Sequence, residues 1–184
     1  MSFSSKVLSI EKHGQVGIVW LDREAKYNAL STELWSAIPH SLDALCEDTE
    51  IGAIILAGRG KHFCAGIDLV EDGLSEHKNA KARSKAESNI KQLANTQKFQ
   101  SAITAIADCA VPVVAVVQGF CLGAGVDLIT ACDIRIASAC SVFSVRETRL
   151  GLVADVGTLQ RLPKILNAGH VAELVYTGKD IKAD

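Results

Sequence analysis

The sequence predicts an α/β fold made of βαβ units, and three observations carry that reading. Short, almost unbroken apolar runs recur at 16–21, 53–57 and 113–117, too apolar for strands with one wet face. Longer segments between them place apolar residues at helical spacing. The punctuation is glycine-rich, with no internal repeat and no low-complexity tract. In such folds ligands sit beyond the carboxyl ends of the strands. Attention therefore falls on the glycine-containing stretches after Ala57 and Val117.

The first residues run almost directly into a strand-like segment, and 16–21 forms a short buried strand. Ser31-Thr32-Glu33 then supplies a helix start, a hydroxyl cap with an acid in the first turn. Leu34, Ile38, Leu42 and Leu45 share one face of that helix, and Pro39 within it predicts a kink or an early break. Residues 53–57 form a strand that ends at Gly58-Arg59-Gly60. A polar, charged stretch follows over 71–91, and 71–86 is expected to be the mobile segment. A helix resumes near Asn89 and runs to about Ala107, with Ile90, Leu93, Ile103 and Ile106 facing inward. The strand 113–117 opens after Pro112, and 134–137 is a further, shorter strand.

With 184 residues and 48% hydrophobic side chains, the chain can bury one substantial core but not two full-sized domains. A mean hydropathy of +0.21 argues against disorder. A formal net charge of −2 gives no electrostatic reason to expect nucleic acid or an anionic membrane as partner. No apolar run approaches the ~18 residues of a membrane span. Small-molecule chemistry is the default. The six cysteines, at 46, 64, 109, 121, 132 and 140, form neither a C-x-x-C pair nor a zinc-spaced group, and read as reduced, buried side chains of an intracellular protein. The start shows neither an apolar signal core nor an arginine-rich transit peptide.

Three carboxylates stand out. Asp127 closes Gly123-Ala124-Gly125-Val126-Asp127, Glu147 sits in Ser144-Val145-Arg146-Glu147, and Asp155 lies in Gly151-Leu152-Val153-Ala154-Asp155-Val156-Gly157. Each is embedded among small and apolar residues, where a carboxyl group is a candidate for tuned acid/base chemistry. A helix cap or structural ion pair would explain any one alone, so the constellation carries the argument. Arg146 and Arg149 flank Glu147, and if either folded back onto it the carboxylate would be held ionised. Two post-strand turns, 62–69 and 119–127, bring small residues close to any ligand. A helix starting near Ala124 would present unpaired N–H groups to an oxyanion. The second turn is not a dinucleotide fingerprint, because its third glycine is missing, and a phosphate-binding P-loop is excluded by the lack of Gly-Lys-Ser/Thr. His62 reads as a loop surface residue.

Taken together, these residues resemble the enoyl-CoA hydratase/isomerase (crotonase) superfamily over almost the whole chain. The resemblance rests on Lys26-Tyr27-Asn28-Ala29-Leu30, on Phe63-Cys64-Ala65-Gly66-Ile67-Asp68-Leu69, on 119–135 and on Gly157-Thr158-Leu159-Gln160-Arg161-Leu162-Pro163. Within the superfamily the chain is most similar to Δ3,5-Δ2,4-dienoyl-CoA isomerases, which carry Asp, Glu and Asp where this chain has Asp127, Glu147 and Asp155. Asp155 is the discriminating residue, since hydratases have Gly near that position. The resemblance implies a crotonase-like spiral of ββα units over 1–184, an acyl-CoA-binding core whose C-terminal helical region is truncated. It also implies a homo-oligomer, trimer or hexamer, in the full-length form, and a peroxisomal or mitochondrial setting. A chain extended through those helices is expected to be more stable and more active.

The implied reaction converts 3,5-dienoyl-CoA to 2,4-dienoyl-CoA in fatty acid β-oxidation, with no metal and no cofactor beyond the coenzyme A of the substrate. The substrate-binding set is Ala65, Gly66, Ile67, Asp68, Leu69 and Ala124, with an oxyanion hole made by the Ile67 and Ala124 N–H groups. Ala124 replaces the middle glycine of the family's Gly-Gly-Gly, keeping the N–H and adding a methyl group. Asp155 is expected to act as base at C2 and Glu147 as acid at C6, an assignment that could be reversed, with Asp127 orienting the pair or raising a neighbour's pKa through like-charge repulsion. Lys26 is either solvated or set against a CoA phosphate. Two alternatives stand beside this reading. One is an enoyl-CoA hydratase or Δ3-Δ2-enoyl-CoA isomerase that leaves Asp155 idle. The other is a truncated, inactive acyl-CoA-binding or oligomerisation partner.

Overall fold

A tight turn at Gly14-Gln15 folds β1 (Leu8–His13) back onto β2 (Val16–Leu21), and this hairpin is the only antiparallel pair of the main sheet among the described residues. The computed structural model describes residues 3, 5–71 and 84–183. The stretch expected to be mobile, 71–86, lies outside the described residues except at its ends. Beyond β2, β3 (Ala53–Gly58), β4 (Val113–Val117) and β6 (Ile134–Ala137) add in parallel, giving the order β1-β2-β3-β4-β6. Parallel neighbours need crossovers, and the amphipathic segments between the apolar runs supply them. Each strand read from the sequence is present, with β3 one residue longer than expected.

The first crossover is α1 (Thr32–Cys46), capped by Ser31, whose Oγ accepts from the Leu34 N–H at 3.2 Å. Leu34, Ile38, Leu42 and Leu45 are all buried, as their spacing predicts. The expected break at Pro39 does not occur, and the helix continues to Cys46. Burial of Trp35 and Ile38 before the proline and of Leu42 and Leu45 after it keeps the helix continuous across Pro39 despite the lost hydrogen bond.

The second crossover, α2 (Lys85–Ala107), starts four residues before Asn89 because Ser84 caps it, accepting from the Glu87 N–H at 3.1 Å. Ile103 and Ile106 are buried in the core, but Ile90 and Leu93 are 68% and 59% exposed, against the expectation that all four face inward. Periodicity gives the face of a helix, not the point along it where the body ends. Here the core-buried residues, Ala102, Ile103 and Ile106, all belong to the C-terminal part.

After each main-sheet strand from β2 onward the chain makes a short second extended segment before its helix. These segments form their own ladder. Leu30 bridges Ile67, Cys64 bridges Cys121, β5 (Phe120–Leu122) pairs in parallel with β7 (Val142–Ser144), and β7 pairs antiparallel with β8 (Ile181–Lys182). The fold is thus the spiral of strand, short strand and helix that the resemblance implies. Its later helices are α3 (Ala124–Ala131), the single-turn α4 (Thr158–Arg161) and α5 (Ala168–Thr177). No helix among the described residues is long and apolar enough to cross a membrane. The cysteines differ from expectation in part. Cys64, Cys121 and Cys132 are buried, Cys46 and Cys109 are half-buried with their Sγ atoms 3.6 Å apart, and Cys140 is exposed in the turn after β6.

Candidate active site

The second ladder places one short segment per turn of the spiral along a cleft of about 1010 Å³. Tyr27 and Asn28 take left-handed backbone angles, with φ of 51° and 56°, and this tight turn is fastened by the fully buried Asn28 side chain. Its Oδ1 accepts from the Arg23 N–H at 2.9 Å, and its Nδ2 donates to the Arg59 and His62 carbonyls at 2.9 and 2.8 Å. The turn then holds the next segment backbone to backbone. Ala65 N–H donates to Tyr27, Leu30 N–H to Gly66, and Asp68 N–H to Leu30. Asn28-Ala29-Leu30 therefore works as the clamp of the 65–68 loop.

Gly66 and Gly123 explain the close packing at the centre. Gly66 lies at φ +97°, and a Cβ there would sit 3.0 Å from the Leu122 carbonyl oxygen and 3.6 Å from the Ala124 nitrogen. Gly123, at φ +51°, caps α3, and a Cβ there would sit 3.4 Å from Glu147 Oε1. The 65–68 loop, the start of α3 and Glu147 thus meet at one point. Neither the Ile67 nor the Ala124 N–H donates to an acceptor among the described residues, so both donors are available to a ligand.

The three carboxylates converge on this cleft with different surroundings. Asp127, in the first turn of α3, is 1% exposed. Its Oδ1 accepts from the Thr158 N–H at 2.5 Å, and its Oδ2 has no partner among the described residues. Burial pushes its pKa up to about 7, opposed by the hydrogen bonding from Thr158 N–H and reinforced by the charge of Glu147. Glu147 opens a 3₁₀ turn over 147–150, is half-buried, and leaves Oε2 without a partner among the described residues. Burial again raises its carboxyl above the usual range, its own backbone N–H opposes the rise, and the charge of Asp155 adds to it. Asp155 is the exposed member. The Gln100 Nε2 of α2 donates to its carbonyl oxygen at 2.7 Å, tying its loop to that helix.

Other sequence-derived sites fall as follows. Ala65, Gly66, Ile67, Leu69 and Ala124 line the cleft, whereas Asp68 does not. The Asp68 carboxylate faces away to Arg23, whose Nη2 lies 2.9 Å from its Oδ2. It also accepts from the Val70 and Glu71 N–H groups, so its role is to brace the loop. His62 is half-buried rather than a surface loop residue, stacked on Phe120 at 4.3 Å with its Nδ1 accepting from the Phe120 N–H at 3.1 Å. Lys26 is exposed outside the cleft lining. Neither Arg146 nor Arg149 folds onto Glu147, because both turn to Asp180. Sequence reasoning also missed the wall that α2 provides through Gln92, Asn95, Thr96 and Phe99. The polar members carry no periodic signal, and Phe99 is fixed by stacking on Trp35 at 4.7 Å.

Two N–H groups without an acceptor among the described residues share one cleft with three carboxyls on a ββα spiral, an arrangement that can receive an oxyanion beside groups able to exchange protons. Consistent with that class, the family profile for enoyl-CoA hydratase/isomerase matches residues 11–184, and the chain belongs to this family. Among its relatives, the peroxisomal Δ(3,5)-Δ(2,4)-dienoyl-CoA isomerase of Arabidopsis thaliana is 41% identical over 86% of this chain and 57% of its own length. The mitochondrial protein of that name from Homo sapiens is 39% identical over 98% of the chain and 55% of its own length. The crystal structure of an enoyl-CoA hydratase from Bacillus anthracis superposes with a TM-score of 0.84 at 30% identity, covering 97% of this chain and 65% of that one. The chain spans a little over half the length of the two isomerases.

Proposed function

We propose that the chain carries the catalytic core of a Δ3,5-Δ2,4-dienoyl-CoA isomerase of fatty acid oxidation. The observation that carries this reading is the convergence of Asp127, Glu147 and Asp155 on the cleft that also holds the Ile67 and Ala124 donors. Identity to isomerases named as peroxisomal and mitochondrial supports it and favours one of those organelles as its setting.

The thioester oxygen accepts from Ile67 and Ala124 N–H, each donor stabilising the developing dienolate by about 3 kcal/mol. With C1 fixed there, C2 is the carbon nearest the Gly123–Glu147 contact, so Glu147 takes the C2 proton. Asp155, on the exposed side, takes up a proton from solvent and delivers it to C6. Of the two assignments open from sequence this is the reversed one, chosen because Glu147 Oε1 lies beside Gly123, the residue that precedes the Ala124 donor. One proton leaves C2, one arrives at C6, and the double bonds move from 3,5 to 2,4. Glu147 then releases its proton to solvent through the open cleft, so both carboxyls end the cycle as they began it. A base with a raised pKa suits this chemistry, because proton transfer is most effective when the pKa approaches the working pH. Asp127, protonated over part of the neutral range, spares the site a third charge.

The test is product analysis of the chain with 3,5-dienoyl-CoA and with 2-enoyl-CoA of equal length. Isomerisation should be the faster reaction. Glu147→Gln and Asp155→Asn should each lower it at least ~10²-fold while acyl-CoA binding, measured calorimetrically, stays nearly unchanged. Parental turnover in either variant, or faster hydration by the parent, would sink the assignment.

A further inference from the structure

Arg146 immediately precedes Glu147 and lines the same cleft, yet its guanidinium serves another partner. Arg146 Nη2 donates to both Asp180 oxygens, at 2.9 and 2.8 Å, and Arg149 Nη1 lies 3.8 Å from the same carboxylate. Asp180 is itself well anchored. The Ser144 Oγ donates to the Gly178 carbonyl at 2.8 Å, and β8, one residue on, pairs with β7 through Val142–Lys182 and Phe143–Ile181. An ion pair this exposed adds little to stability. Its consequence is electrostatic and local.

We propose that Asp180 is a positioning residue for Glu147: by holding the Arg146 guanidinium at the rim of the cleft, it keeps the Glu147 carboxyl without a cationic partner. The inference rests on the reading of Glu147 as the proton-accepting group. The other charges near Glu147 are accounted for. Asp127 faces it from α3 and Asp155 from the following loop, both anionic when ionised. Arg161 of α4 acts on Asp127, and Glu71 lines the cleft farther along the 65–71 segment. On α5, Glu173 is taken by Lys179. Among the described residues, Arg146 and Arg149 are therefore the cations that could quench Glu147, and Asp180 engages both.

Removing the Asp180 charge acts in one direction by two routes. A released guanidinium can swing to Glu147, and even an unmoved one now presents uncompensated positive charge. Both favour the ionised carboxylate, which makes Glu147 a weaker base. The experiment follows the Glu147 carboxyl by ¹³C NMR in glutamate-labelled chain, with Glu147→Gln identifying the resonance. This readout does not require turnover, so its failure is distinguishable from failure of the isomerase reading. In Asp180→Asn the titration midpoint should fall by at least ~0.5 pH unit, and the acidic limb of kcat/KM should move with it. Combining Asp180→Asn with Arg146→Gln should return the midpoint to the parental value. Arg146→Gln alone, which stands in if Asp180→Asn fails to fold, should leave it unchanged or raise it. A parental midpoint in Asp180→Asn, a fall that Arg146→Gln does not reverse, or a fall in Arg146→Gln alone would each overturn the proposal.

Discussion

Asp127→Asn should stabilise the protein at neutral and alkaline pH while doing nothing comparable in acid. The Asp127 carboxyl is 1% exposed, receives one hydrogen bond from Thr158 and leaves its second oxygen unpartnered. Its pKa rises from an ordinary 3.8 to about 7. Because the folded pKa is the higher one, the native state holds a proton that the unfolded chain has released between about pH 4 and pH 7. Stability from this group is intact below the unfolded pKa and is lost as pH rises through that window. A rise of this size corresponds to about 4 kcal/mol once pH exceeds the folded value. Asparagine keeps an oxygen for the Thr158 N–H and does not titrate, and whatever its amide costs is independent of pH. Urea unfolding of both proteins across this range should therefore give a difference that grows in favour of the variant up to about pH 7 and then levels. A difference that stays flat, or that favours the parent increasingly with pH, would refute the reasoning.

Two further outcomes follow from the same site. Ala124→Val should reduce turnover far more than Ala124→Gly on one dienoyl-CoA substrate, since the donor is the backbone N–H and only added bulk obstructs the thioester; kinetics with parallel melting curves separate this from loss of folding. Asn28→Ala should cost about 3–5 kcal/mol in denaturant unfolding, because it strips three buried hydrogen bonds and leaves alanine at φ 56°; Asn28→Gly, which relieves only the backbone, should recover a minor part.

What the sequence made legible was whatever is written locally. β3 and β4 are apolar on nearly every residue because parallel strands are covered on both faces, and the Ser31 cap announces α1 within three residues. The clustering of Asp127, Glu147 and Asp155 was legible only through resemblance, since nothing local says that three such separated carboxyls share a cleft. The failures have a common physical origin in partners distant along the chain. Asp68 looked like a ligand-facing residue until Arg23 took it. The orientation of Arg146 depends on Asp180, and the seat of Asp155 depends on Gln100. Ile90 and Leu93 kept the period of a buried face on a part of α2 that leaves the core, and Pro39 was overruled by burial on either side of it.

The ladder of short segments also governs when activity can arise during folding. Ile54 and Val113 lie on one rung of the main sheet although all of α2 separates them, and the same holds for Cys64 and Cys121 in the smaller ladder. Such pairings require large loops to close before any contact rewards the lost chain entropy, which slows folding of a freed chain. A chain delivered from its N-terminus meets a gentler route, because each new turn finds the edge of the previous one already in place. The proposed oxyanion donors draw on the second and third turns, whereas Glu147 and Asp155 come from the fourth. Refolding followed at once by backbone structure and by proton transfer should therefore show the sheet arriving first and the chemistry last.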